Sequence, residues 1–229
     1  MILATAGHLT ISLGGIFFFG FPTIFSLSVY VLAVSSQLGV SLFLSVLLAL
    51  FSALLSGIFF ASLYRRLSND SFAVFSLASV LAFDALVRSW DSVTGGVLGI
   101  SGIVRPHFAS ALSTLVAFQA VAVFCVAVFE YLLLASPFGR ALLAHKESPQ
   151  LLDAVGYHAQ GVGSVSILLA AFLSAVGGIL SLWCIQFLDP SFGGIPLFLL
   201  VLTVSILALT PRLSRFIGVV ALITFLPEL

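Results

Sequence analysis

Long apolar runs recur along this sequence and limit the folds that it can adopt. A helix that crosses a bilayer needs about 20 apolar residues, each adding about 1.5 Å of length. Backbone in lipid finds no water to bond, so these runs are expected to be helical. They cover residues 11–34, 40–63, 72–87, 108–134, 162–188, 195–210 and 216–226. The pattern predicts an all-α polytopic membrane protein with about six to seven transmembrane, broken or re-entrant helices.

Composition indicates the same class. Hydrophobic residues make up 61% of the chain and charged residues 7%, against about 25% charged residues in soluble domains. The net charge of zero argues against nucleic acid as a partner. Cys125 and Cys184 both lie inside apolar runs, which indicates neither a disulfide framework nor a metal site. The expected location is the cell (inner) membrane, with lipid around a multi-pass chain.

Glycine and proline interrupt the runs near both ends of the chain. Gly14, Gly15, Gly20 and Pro22 lie in the first run, and the segment 211–215 separates the last two, which are short for spans. Because proline removes a backbone donor, kinked, broken or re-entrant helices are expected there. Such a placement is typical of an inverted repeat in a transporter. Close helix packing through glycine is the alternative that the sequence leaves open.

One long polar interval, residues 136–158, separates two apolar runs of spanning length. Its charged residues are Arg140, Lys146, Glu147 and Asp153. Its apolar positions recur at helical spacing and predict an apolar face; they are Leu142, Leu143, Leu151, Leu152 and Val155. Pro149 is expected to divide the interval into two short helices. An amphipathic helical loop predicts a surface for lipid headgroups or for another protein.

The basic residues predict the orientation of the chain. Cytoplasmic loops carry an excess of lysine and arginine. If 136–158 is cytoplasmic, alternation of the spans places six of the eight basic residues inside. These six are Arg65, Arg66, Arg140, Lys146, Arg212 and Arg215. Arg88 and Arg105 then lie outside, and the amino terminus is expected inside.

The ionisable residues form no catalytic pattern. The one lysine, Lys146, is not part of a phosphate-binding loop. The histidines show no metal-ligand spacing and are expected to be interfacial polar residues; they are His8, His107, His145 and His158. Asp84 and Arg88, four residues apart in one run, are expected to form an intramembrane ion pair that either lines a pathway or is structural. The role of Glu130 is left open. Neither an enzyme nor a metal or cofactor site is expected.

Five collinear segments carry a family resemblance. They are AGHLTISLGGIFFFG (6–20), RLSNDSFAVFSLA (66–78), WDSVTGGVLGISGI (90–103), SPFGRALLAHKES (136–148) with DAVGY (153–157), and RFIGVVALITFLPEL (215–229). In this order and spacing they resemble the permease subunit of branched-chain amino-acid ABC importers. The resemblance implies one permease domain over 1–229 that moves substrate by alternating access and makes no bonds itself.

The resemblance also implies partners. They are cytoplasmic ABC ATPase subunits, a second permease subunit and an extracytoplasmic substrate-binding protein. Residues 136–160 correspond to the coupling segment that docks on the ATPase. The residues implied in that coupling are Gly139, Arg140, Ala144, Lys146, Glu147, Asp153 and Gly156.

The chain departs from the family pattern at several places. Pro149 stands where the family has an acidic residue, and Gly161 and Gly163 stand where it has basic ones. Asp84 occupies a commonly basic position. The chain also aligns with the middle of such a permease, because family members begin one or more spans earlier and continue through another span. The alternative function is therefore a reduced or truncated homologue that acts as a non-transporting membrane scaffold.

Two glycine-rich segments are the predicted substrate pathway. Glycine interrupts helices and leaves backbone N–H and C=O groups without intrahelical partners, and in a membrane these persist only in protein or facing water. Helix ends of this kind can bind the carboxylate and ammonium of an amino acid. The predicted pathway residues are Ser12, Gly14, Gly15, Thr94, Gly95, Gly96 and Gly99. Tight packing is the alternative explanation of these glycines.

Overall fold

The computed structural model describes residues 1–103, 105–106, 112–208, 216 and 218–220. The helices and strands, in chain order, are α1 (Ile2–Gly7), a π-helix (His8–Leu13), α2 (Phe21–Gln37), α3 (Leu42–Tyr64), α4 (Asn69–Ser89), α5 (Asp91–Thr94), β1 (Ile100–Ser101), α6 (Leu112–Ala135), α7 (Pro137–Glu147), α8 (Pro149–Ala154), α9 (Ala159–Ile185), β2 (Phe187–Leu188) and α10 (Ile195–Leu207). Short 3-10 turns at Gly96–Leu98 and Pro190–Gly193 precede β1 and α10.

The predicted all-α membrane fold is confirmed. Within the described residues, five helices are long and apolar enough to cross a membrane, and Ile2–Leu13 and Phe21–Gln37 are shorter apolar helices. The predicted seventh run, 216–226, lies mostly outside the described residues. The two-residue ladder between β1 and β2, antiparallel with Ile100 opposite Leu188, was not predicted.

The first predicted span, 11–34, is broken, as its glycines predicted, but its predicted bounds are wrong. Residues 2–13 form a separate helix, the chain reverses over 14–20, and α2 begins only at Phe21. Pro22 lies in the first turn of α2, where its missing N–H costs nothing, so it starts this helix instead of kinking it. Phe18 anchors the reversal, with ring centroids 5.1 Å from Phe60 and 5.8 Å from Phe72.

The bundle has two distinguishable ends. We call the end that carries α7 and α8 the α7 end, and the other the opposite end. Tyr64, the last residue of α3, bonds His145 of α7, whereas Gln37, the last residue of α2, reaches the Ser101 carbonyl at 3.5 Å at the opposite end. The helices 2–13, α3, α6 and α10 run toward the α7 end, and α2, α4 and α9 run away from it.

The amino terminus is not at the α7 end, contrary to the expectation that it shares a side with the polar interval. Ile2 and Leu3 pack against Gly177, beyond the middle of α9. The reason is the additional helix 2–13, which crosses part of the bundle before the chain reverses.

The described basic residues lie at the two ends of the bundle in the two groups that the sequence predicted. Those at the α7 end are Arg65, Arg66, Arg140 and Lys146, and Arg65 Nε donates to Ser164 Oγ at 2.8 Å. Arg88 and Arg105 lie at the opposite end, where Arg105 Nε donates to the Trp183 carbonyl at 2.9 Å. Arg212 and Arg215 lie outside the described residues. Which end is cytoplasmic stays a prediction.

Helix α9 is the centre of the bundle. In an apolar 18-residue stretch of α9, 67% of the residues are buried, against 22% in the corresponding stretch of α3 and 11% in that of α6. Small residues allow close approach: a Cβ on Gly57 of α3 would lie 2.8 Å from the Ala171 Cβ of α9, and one on Gly178 would lie 2.7 Å from Val29 of α2. Small residues at interfaces are how helices pack in lipid, where no hydrophobic effect draws them together.

Candidate coupling surface

Two Ser-Pro pairs create the helices of the polar interval. Ser136 caps α7, because its hydroxyl accepts a hydrogen bond from the Gly139 N–H at 3.2 Å, and Pro137 fills the first helical position. Ser148 ends α7 and also caps α8, accepting from the Leu151 N–H at 3.4 Å, with Pro149 at the first position. Serine at the cap followed by proline is a strong helix start. The predicted break at Pro149 is present for this reason.

The inward face of α7 holds the segment against the bundle. Its buried residues are Gly139, Ala141, Leu142 and His145. Gly139 lies at the corner between α6 and α7, where any Cβ would overlap the Leu133 carbonyl oxygen. Leu142 is fully buried in a cluster with Leu9 and Leu13 of the π-helix and Leu133 of α6. The position of α7 is therefore fixed by packing on α6 and on the π-helix.

The outward face of α7 and the side of α8 enclose a groove of about 320 Å³, which we call the α7–α8 groove. Its lining residues are Pro137, Arg140, Ala141, Ala144, Glu147, Ser148, Leu151, Leu152, Val155 and Tyr157. Leu151 is 69% exposed and Val155 77% exposed, so these two residues of the predicted apolar face do not pack on the bundle. The kink at Pro149 turns them into the groove and away from the bundle.

The predicted coupling residues divide between this groove and the scaffold behind it. Arg140, Ala144 and Glu147 line the groove. Lys146 turns inward, and its Nζ donates to the Ser12 carbonyl at 2.8 Å. Asp153 caps the start of α9, because its Oδ1 accepts from the Ala159 N–H at 2.8 Å. Gly156 adopts a φ of 93° in the turn that ends α8, a conformation that favours glycine.

A polar network behind α7 joins it to the reversal after the π-helix. His145 Nδ1 lies 2.8 Å from the Gly14 carbonyl, and its Nε2 lies 3.0 Å from Tyr64 Oη. A carbonyl only accepts, so Nδ1 carries a hydrogen, and in the neutral ring Nε2 accepts from the tyrosine hydroxyl. With the Lys146 bond to Ser12, the α7 helix binds two carbonyls, one near the end of the π-helix (Ser12) and one at the start of the reversal (Gly14).

The structure also pairs His8 with Glu130, a contact that sequence reasoning missed. His8 Nδ1 lies 2.5 Å from Glu130 Oε1, and the side chains are 0% and 4% exposed. The second carboxylate oxygen, Oε2, is buried with no hydrogen-bond partner among the described residues. The available signal was a lone acid within a long apolar run, which requires a partner at membrane depth. Its partner is 122 residues away in sequence.

The predicted pathway residues lie in two separate places. Ser12, Gly14 and Gly15 are at the α7 end, and the other predicted residues, from Thr94 to Gly99, are at the opposite end, about 40 Å away along the 27 residues of α9. Three of the backbone groups expected to be free at the α7 end have partners. The Gly14 N–H donates to the Leu9 carbonyl at 3.1 Å, and the Ser12 and Gly14 carbonyls accept from α7.

The opposite-end segment is also internally bonded. Thr94 Oγ1 donates to the Val87 carbonyl at 2.6 Å, and the Gly95 N–H donates to the Asp91 carbonyl at 3.2 Å. Gly95, Gly96 and Gly99 have φ values of 72°, 54° and 72° in this tight turn. A pathway role of either segment stays a prediction.

Asp84 and Arg88, near the carboxyl end of α4, form an ion pair with two hydrogen bonds at the opposite end of the bundle. Arg88 Nε donates to Asp84 Oδ2 at 3.0 Å, and a terminal guanidinium nitrogen donates to Oδ1 at 3.3 Å. The side chains are 43% exposed for Arg88 and 23% for Asp84. Among the described residues, no three His, Cys, Asp or Glu side chains lie close enough to hold a metal ion.

Comparison with known proteins identifies the family. Residues 1–227 match the family described as branched-chain amino acid transport system / permease component. Comparisons with curated proteins and with solved structures gave no match. The match covers nearly the whole chain, and the apolar helices are consistent with a membrane-spanning transport protein. The chain therefore belongs to the family of permease components of branched-chain amino acid transport systems.

Proposed function

We propose that this chain is the transmembrane permease subunit of an ABC importer for branched-chain or other small neutral amino acids. The proposal rests on the family and on the α7–α8 groove. In this mechanism ATPase subunits bind at the α7 end, a second permease completes the membrane unit, and a binding protein delivers substrate at the opposite end. Substrate then crosses by alternation between outward- and inward-open states.

The α7–α8 groove is the observation that supports ATPase docking. It combines an exposed cation, Arg140, and an exposed anion, Glu147, with the exposed apolar side chains of Leu151, Val155 and Tyr157. Apolar contact area surrounded by charges of both signs is typical of a protein interface. A lipid-facing loop would instead present cations toward the headgroups. Behind the groove, Leu142 and His145 are buried and attach α7 to the bundle.

The experiment reverses one charge in the groove. Truncation of one partner in a buried interfacial charge pair costs about 2–5 kcal/mol, and far less at a rim. We expect Arg140→Glu to reduce co-purification of the ATPase subunits while the protein stays in the membrane at normal abundance. The matched control is Arg66→Glu, which reverses an exposed cation at the same end but outside the groove.

Two outcomes would contradict the proposal. Equal ATPase recovery from Arg140→Glu and wild type would place the groove away from the ATPase. Normal ATPase recovery without nucleotide-dependent amino-acid uptake in proteoliposomes, with the second permease and binding protein supplied, would favour the scaffold function instead. Uptake of leucine, isoleucine and valine, measured against a small amide, then identifies the substrate class.

A further inference from the structure

We propose that the π-helix His8–Leu13 transmits movement of α7 into the bundle, with His145 and Lys146 as the positioning residues that couple the two. This inference rests on the proposed function, because it assigns a route to the motion that ATPase docking would produce. Contacts from three helices, α6, α7 and α10, converge on the π-helix and on Gly14, the residue that follows it.

The π-helix is an element that can rearrange locally. It is completely buried, and its carboxyl end is closed by wide hydrogen bonds, Gly14 N–H to the Leu9 carbonyl at 3.1 Å and Ile16 N–H to the Thr10 carbonyl at 2.9 Å. A π-helix has one residue more per hydrogen-bonded turn than an α-helix, and such turns often occur at functional sites. A shift of one residue in this bonding would move every side chain beyond it.

Helix α7 holds the carboxyl end of the π-helix. Lys146 Nζ and His145 Nδ1 bond the carbonyls of Ser12 and Gly14, each at 2.8 Å. Gly15 follows with a φ of 64°, and a Cβ there would lie 3.1 Å from the Lys146 Cα. Glycine is required at this position both by its conformation and by the closeness of α7. Backbone touches backbone here, so α7 cannot move without displacing this point.

Helix α6 holds the amino end, and α10 receives the displacement. Glu130 of α6 binds His8, and α6 leads into α7 through Ser136 alone. On the other side, Ser12 Oγ donates to the Ser205 carbonyl of α10 at 2.7 Å. Gly7 packs so closely on Ser205 that a Cβ would overlap its hydroxyl. The π-helix is thus held between the α6–α7 corner and α10.

The first test measures amide hydrogen exchange of the peptide covering residues 8–20 in the chain reconstituted in nanodiscs. Lys146→Met removes the bond to Ser12 and should accelerate exchange at Gly14 and Ile16 about tenfold or more, the factor expected from one hydrogen bond to a charged group. Lys146→Arg should restore slow exchange. Arg66→Met, which removes an exposed cation at the same end, is the matched control and should leave exchange unchanged.

The two His145 variants separate its contacts. Asn places its amide near the Nδ1 position and keeps a donor for Gly14, whereas Gln places its amide near Nε2 and keeps only the Tyr64 contact. We expect His145→Gln to loosen residues 14–16 and His145→Asn to preserve their protection. If exchange at residues 14–16 is the same in His145→Gln, His145→Asn and Lys146→Met as in the wild-type chain, the inference is overturned. This measurement needs no ATPase, so it stays readable if the proposed function fails.

The second test adds the ATPase subunits. In the wild-type complex, nucleotide binding should change exchange in residues 8–20, and in Lys146→Met this response should be lost while the ATPase still co-purifies. Lys146→Arg should recover it. A full nucleotide response in Lys146→Met would show that the motion reaches the bundle by another route, and a wild-type complex with bound ATPase but no response would equally refute the transmission.

Discussion

Removal of the Glu130 carboxylate should weaken the attachment of α6 more than any other single polar substitution on that helix. Helix α6 has few buried contacts, since only 11% of its most apolar window is buried. Its polar anchors include Glu130, which binds His8, and Gln119, whose Nε2 donates to the Leu180 carbonyl of α9 at 2.9 Å. Leu115 and Leu133 add buried apolar contacts near the same two positions.

The magnitude follows from the kind of bond at each anchor. Loss of one partner from a buried ion pair costs about 3–5 kcal/mol in soluble proteins. A neutral hydrogen bond between membrane helices averages only about 0.6 kcal/mol, with a maximum near 1.7. We therefore expect Glu130→Ala to lower the free energy of unfolding by about 3 kcal/mol and Gln119→Ala by about 1 kcal/mol. Glu130→Gln keeps an acceptor for His8 and should cost about 1 kcal/mol.

The structure supplies a reporter for this measurement. Trp183 of α9 lies with its ring centroid 6.4 Å from that of Phe118 on α6, so its fluorescence reports separation of these helices. The other tryptophan, Trp90, is half exposed and is replaced by Phe in all variants. The chain in mixed micelles is titrated with sodium dodecyl sulfate, and the free energy of unfolding is fitted from the Trp183 signal.

A clear result would refute this reasoning. If Glu130→Ala costs no more than Gln119→Ala, the His8–Glu130 contact contributes only as an ordinary interhelical hydrogen bond. The ranking of the three variants is more informative than any single value, because all share one helix, one reporter and one detergent.

Three smaller predictions concern residues at the ends of helices. For each, the same titration measures the free energy of unfolding. Asp153→Ala should cost about 1 kcal/mol through loss of the α9 cap, with Asp153→Asn closer to wild type. Arg88→Gln should leave the free energy of unfolding nearly unchanged, since the pair with Asp84 is partly exposed. Hydrogen bonds from the Ser191 backbone N–H and hydroxyl hold the pKa of Asp189 below its usual range. That contribution is present above about pH 4 and is lost as the pH falls through the lowered pKa, so Asp189→Asn should remove this acid-side loss.

Hydropathy predicted most helices because lipid leaves the backbone no alternative. The runs 40–63 and 162–188 correspond to α3 and α9 with small shifts at their ends. It failed at 11–34, since the hydropathy stays high through the reversal at residues 14–20 and gives no sign that the chain turns back there. Helical periodicity alone cannot distinguish one kinked span from two helices that meet at the α7 end.

The candidate site was predictable where local geometry decides it. Arg140, Ala144 and Glu147 lie four and three residues apart, and this spacing places them on one face of α7. The orientations of Lys146 and Asp153 were not predictable, because their partners are the Ser12 carbonyl and the Ala159 N–H. Contacts of this kind depend on how the helices pack together, so a local sequence pattern does not predict them.

Photo-crosslinking from within the α7–α8 groove can detect an ABC ATPase bound there. A photoreactive phenylalanine analogue is placed at Ala144, inside the groove, and at Val97, which is 72% exposed at the opposite end. Irradiation of membranes should link position 144, and not position 97, to a subunit that mass spectrometry identifies as an ABC ATPase. Adducts of position 144 with lipid alone, or ATPase adducts at position 97, would refute binding of the ATPase in the groove.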